Sequence, residues 1–191
     1  MKQSACLSIC GRSNKAGSRF FNCTAKKLAL IFIYKKRIKL KKMKSDITAE
    51  VKININAPVS KVWEALTNPE VIKKYLFGTE TITDWKVGSS ITFKGEWEGK
   101  QYEDKGTILD IEENKLIKYT YWSSMSGAED TAENYLIITY EISGEDNDVK
   151  LTITQENIPD KNRKEISEEN WAKVMSDLKD VVEEQSISFA K

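Results

Sequence analysis

An α+β domain, in which a curved antiparallel sheet wraps a long C-terminal helix, is the fold class predicted for residues 43–191. Three observations carry it. Five of seven strand-like segments alternate apolar and polar residues with the period of two that marks a strand with one buried face. Short polar turns join most of them, which makes sequential neighbours antiparallel. The final segment switches to helical period with a single apolar stripe, and that stripe must cover the sheet.

The elements follow in order. In "ITAEVKININAP", Val51, Ile53 and Ile55 alternate with Lys52, Asn54 and Asn56, which predicts a strand. Pro58 suits the first position of a helix, and Val59, Val62, Trp63 and Leu66 recur at helical spacing after it. "TNPEVIKKYLFG" restarts the signal as a second short helix, with Asn68 as cap, Pro69 behind it and Gly78 as the stop. Six strands come next: "TETITDW", "SSITFKGEW", "YEDKGTILDIEE", "LIKYTYW", "NYLIITYEIS" and "VKLTITQEN". "KVGS", "EGKQ", "NK" and "GEDND" read as turns and "SSMSGAEDT" as a polar loop. After a loop "IPDKNRKEI", Ser167 is placed to cap a helix whose stripe is Trp171, Val174, Met175, Leu178, Val181 and Val182.

Charge divides the chain in two. Residues 1–42 carry twelve Lys or Arg and no acid; residues 43–191 carry the other 18 basic residues and all 29 acids, so a +12 segment precedes a domain of −11. All three cysteines (Cys6, Cys10, Cys23) also lie in the basic segment, so the domain relies on its hydrophobic core without disulfides. The apolar run "LALIFIY" is far shorter than the roughly 18 residues that span a bilayer. The favoured expectation is that residues 1–42 are a disordered or non-native extension, with Met43 opening the folded domain. An organellar presequence is the alternative, because the segment has the right charge and no acids. The location expected without it is cytoplasmic.

The predicted order, with "INAPVSKVWEALTNPEVIKKYL", "DWKVGSSITF", "KGTILDIEENKLIKYTYW", "VKLTITQENI" and "NWAKVMSDLKDVVE", resembles the SRPBCC (START/Bet v 1-like) superfamily. Within it, the sequence is most similar to the branch named for the C-terminal domain of the activator of Hsp90 ATPase, over about residues 46–186. The resemblance implies a helix-grip fold with a cavity between the long helix and the concave sheet, often used for apolar small molecules. It leaves function open, because the superfamily includes lipid carriers, cyclases, receptors and co-chaperones.

Candidate ligand-cavity residues are Phe93 and Trp97, which share a face by phase, and Tyr119, Tyr121, Gln155, Trp171 and Met175, which meet them by fold analogy. Large aromatics also simply fill a helix–sheet interface, and Trp63 and Trp85 read as filling of that kind. Gln155 is a polar amide in phase with Val149, Leu151 and Ile153; buried, it needs a tyrosine hydroxyl or a ligand as partner, and at a frayed strand end it is simply wet. The sequence contains no histidine, which excludes imidazole chemistry. Tyr119, Tyr135, Glu103 and Asp104 are acid–base types without a recognisable pairing, and "YEDKG" reads as a strand start with solvated charges. No catalytic set, metal site, cofactor site or phosphate loop is expected. The negative domain disfavours specific nucleic-acid binding.

The resulting expectation is a binding protein for a hydrophobic small molecule, with two alternatives: a co-chaperone-like domain acting on an Hsp90-type chaperone, and a cyclase or hydrolase using the cavity. A 42-residue extension is too short to replace the second domain that full activators carry, which weighs against the chaperone role. A cavity of several hundred Å³ favours a ligand, and a filled interior with an exposed apolar patch favours a partner protein.

Overall fold

The structure, a computed structural model, describes residues 45–188, with side chains described to residue 184. The expectations for the basic segment 1–42 therefore lie outside the described residues. Seven strands form one antiparallel sheet: β1 (Ile47–Ile55), β2 (Glu80–Thr83), β3 (Ser90–Trp97), β4 (Lys100–Glu112), β5 (Leu116–Tyr121), β6 (Leu136–Glu145) and β7 (Asp148–Ile158). Their spatial order is β1-β7-β6-β5-β4-β3-β2, so β2 to β7 are a meander and β1 returns to pair with β7. The helices are α1 (Val59–Thr67), α2 (Pro69–Tyr75) and α3 (Lys161–Ser188). This is the predicted α+β architecture.

Local chemistry explains the joints. Asn68 ends α1 and begins α2, and its side chain accepts a hydrogen bond from the Glu70 amide at 3.1 Å. Pro69 follows at the first helical position, where its missing N–H costs nothing. Gly78, at φ 76°, closes α2 with a bond from its amide to the Lys73 carbonyl. Register is regular across most of the sheet, with irregularities between Ile47 and Ala49 and between Ile108 and Asp110. Gly106 permits a close approach of two strands, because a Cβ there would lie 1.6 Å from the Thr120 carbonyl oxygen.

The core lies between the concave face and the helices. Val149, Leu151 and Ile153 of β7 and Ile55 of β1 meet Val174, Met175, Leu178 and Val182 of α3, with α1 and α2 adding Val62, Leu66 and Ile72. All are buried.

One element departs from expectation. α3 begins at Lys161, so the stretch expected to be a loop contains its first turns, and Ser167 lies inside the helix. Asp160 is the cap, since its carboxylate accepts from the Arg163 amide at 2.8 Å. The first two turns carry only Ile166 as an apolar residue, and it is exposed, so no stripe marks them.

Candidate functional site

Five of the seven sequence candidates form one connected chain on the concave face. Phe93 on β3 sits 5.9 Å from Tyr121 and 5.8 Å from Tyr119, ring centre to ring centre. Tyr119 stacks on Tyr140 at 6.1 Å, and Tyr140 meets Trp171 of α3 edge-on at 5.9 Å. Trp171 then donates its indole N–H to Gln155 Oε1 at 2.7 Å. Gln155 Nε2 donates to Ser167 Oγ at 3.1 Å. The amide is 8% exposed, so the frayed, wet arrangement does not occur, and its partners are Trp171 and Ser167 rather than a tyrosine hydroxyl. Met175, one turn beyond Trp171, is fully buried in the same core.

Trp97 stands apart from this chain. It is 50% exposed at the far end of β3 and makes an edge contact with Phe77, itself 48% exposed, at 6.0 Å. Lys173 of α3 lies 5.7 Å above the Phe77 ring. Phase along β3 places Trp97 on the same face as Phe93, yet Phe93 is buried and the Trp97 indole is half exposed. Trp63 and Trp85 pack partly buried against the core, as filling side chains should.

The helix–sheet interface is filled. A cavity of about 20 Å³, room for roughly one water molecule, remains beside Tyr119, Tyr140 and Thr81, and the Thr81 hydroxyl, without a protein partner, faces that interior. The broad cavity expected from the resemblance is not formed there. A wider cleft of about 190 Å³ opens instead at the end of the sheet near the start of α3. Gln155, Tyr121 and Ser167 line its inner part, while Trp122, Leu136 and Ile158 form apolar walls.

Loop 122–135 frames that cleft and is tied down by polar groups. Asp104, 6% exposed, accepts from the Tyr121 hydroxyl at 2.5 Å, the Ser124 amide at 2.8 Å and the Ser124 hydroxyl at 3.1 Å. The sequence reading of solvated charges in "YEDKG" therefore fails at Asp104, although Glu103 is exposed. Asp104 shares a face with Gly106 and Ile108, both buried, and that phase was the available signal. Trp122 donates its indole N–H to the Ala128 and Glu129 carbonyls, both at 3.2 Å. Asn157 donates to the Glu133 and Tyr135 carbonyls at 3.0 and 2.8 Å and accepts from the Ser45 amide at 3.0 Å. Lys105 pairs with Asp130, which also accepts from Tyr135 at 2.7 Å.

Burial, then the neighbouring tyrosines, pushes the Tyr119 phenol well above its ordinary value. Burial also raises Tyr121, helped by the Asp104 carboxylate beside it, and raises Tyr140 to about 12. These hydroxyls are therefore neutral hydrogen-bonding groups at physiological pH. Among the described residues no group of acids forms a metal cage, and no helix is long and apolar enough to cross a membrane.

A curved seven-stranded sheet closed by a C-terminal helix, with two short helices after the first strand, is the helix-grip architecture of the SRPBCC superfamily. The chain belongs to the activator of Hsp90 ATPase homolog 1-like protein family, whose model matches residues 56–183. It is 44% identical to a Cytophaga hutchinsonii protein of known solution structure, covering 75% of this chain and 98% of that one with a TM-score of 0.66. A Chromobacterium violaceum crystal structure matches at 24% identity, 71% and 96% coverage and a TM-score of 0.59. The solution structure of the Aha1 dimer from Colwellia psychrerythraea matches at 20% identity, 72% and 96% coverage and a TM-score of 0.57; these last two likenesses concern the fold alone. No curated protein sequence matches the chain.

Proposed function

We propose that this domain is a small-molecule binding module whose site is the cleft at the start of α3, not the centre of the helix–sheet interface. One observation carries the reading: a cleft of about 190 Å³ ends on a buried amide, Gln155, that is joined to a continuous aromatic chain. Apolar walls supply affinity and a few fixed polar groups supply orientation, which is how small-ligand sites are built. The filled interior limits the occupant to a compact molecule rather than a long lipid. Phe93, Tyr119 and Met175 then support the site from behind, whereas Tyr121 and Gln155 reach it.

The co-chaperone-like reading is favoured by a different observation, the exposed Phe77–Trp97 pair on an otherwise filled domain. Native mass spectrometry of the full chain, purified gently from its source and followed by denaturing analysis, separates the two. A stoichiometric small molecule is expected. Empty protein that co-purifies with an ATPase chaperone, and loses it on Trp97→Ala, would replace the first reading with the second.

A further inference from the structure

We infer that the cleft receives a monocarboxylate, its carboxylate on Arg163 and its apolar body against Trp122, Leu136, Ile158 and Pro159; this rests on the cleft being a ligand site. Arg163 lines the cleft from the first turn of α3 and makes no ion pair with any described residue. Its neighbour Lys164, by contrast, is engaged by Glu168. A guanidinium presents a planar fork that matches a carboxylate.

A second, independent group points the same way. Gln155 is nine-tenths buried and lines the cleft, yet only one of its two amide N–H groups is used, on Ser167. An acceptor oxygen of the ligand can take the remaining N–H. Glu133 also lines the cleft and forms no ion pair with Arg163. With Glu133 on the same cleft, a dianion such as phosphate is opposed more strongly than a single negative charge placed on Arg163. The apolar walls demand that the rest of the molecule be hydrocarbon, aromatic or aliphatic.

Isosteric pairs of acid and alcohol test this with the full-length protein: phenylacetate against 2-phenylethanol, and hexanoate against 1-hexanol, by calorimetric titration. Each acid should bind about tenfold more tightly than its alcohol, the increment of one charge-assisted pair. Arg163→Gln, an exposed substitution, should abolish that preference and leave the alcohols' affinity unchanged. Glu133→Gln should strengthen acid binding. Equal affinity for acid and alcohol, or a preference that survives Arg163→Gln, would overturn the carboxylate assignment while leaving the cleft a binding site. Failure of all four probes to bind at millimolar concentration would overturn both the assignment and the site beneath it.

Discussion

Replacing Asp104 is the sharpest test of how the cleft is held together. The carboxylate is buried and accepts three hydrogen bonds, one from Tyr121 and two from Ser124. In Asp104→Ala the Ser124 groups, at an exposed residue, regain water, but the largely buried Tyr121 hydroxyl loses its acceptor. A charge-assisted bond contributes about 1.5–3 kcal/mol, and stranding a buried donor costs about 1–3 kcal/mol. A net loss of about 2–4 kcal/mol follows, which in a domain of this size lowers Tm by about 5–15 °C. Asp104→Asn keeps one acceptor oxygen and lets Tyr121 reverse its bond, so about 1–2 kcal/mol is expected. Urea unfolding followed by circular dichroism measures both. A double-mutant cycle with Tyr121→Phe should return a coupling of about 1–3 kcal/mol. An Asp104→Ala loss under about 0.5 kcal/mol, typical of surface positions, would show that Asp104 is the solvated charge the sequence implied and that loop 122–135 is held by other means.

Three further outcomes are expected. Tyr140 ionises at about 12 when folded against 10.0 ordinarily, so its contribution to stability is complete below pH 10 and lost as pH rises towards 12; tyrosinate absorbance and unfolding midpoints followed together across that window should show late ionisation coinciding with unfolding. Gly106→Ala forces β4 away from the Thr120 carbonyl and should cost more than about 3 kcal/mol, read from the chemical denaturation midpoint; a near-neutral result would contradict the strand register. Trp97→Ala should cost about 1 kcal/mol through the lost contact with Phe77 and leave probe affinity in the cleft unchanged, the reverse of what its phase with Phe93 alone implies.

The fold was legible because its signals are local and repeated. Alternation along β7 identified Val149, Leu151 and Ile153, which are indeed buried, and Asn68-Pro69 marked a helix start that forms as drawn. The site was less legible because it depends on where elements end in space. Phase places Trp97 on the face of Phe93, but Phe93 is buried and Trp97 half exposed, a difference set by tertiary packing that phase does not carry. Gln155 was recognisable as a polar residue needing a partner, yet Ser167 was assigned to the helix cap instead, since the true cap at Asp160 lies ahead of two turns with no apolar stripe. Asp104 was obscured by the exposed charges beside it in "YEDK", despite sharing its face with Ile108. Arg163 gave no periodic signal at all; its position on the cleft follows from tertiary structure.

The location of binding is the central claim, and the five tryptophans report on it directly. Indole N–H resonances of the full-length protein, titrated with phenylacetate and assigned by single substitutions, distinguish the cleft from the rim. Trp122, on the cleft wall, and Trp171, bonded to Gln155 at its base, should shift together with the Gln155 side-chain amide, while Trp97 stays in place. Shifts confined to Trp97, with Trp122 and Trp171 unmoved, would place recognition on the exposed Phe77–Trp97 rim and contradict the account.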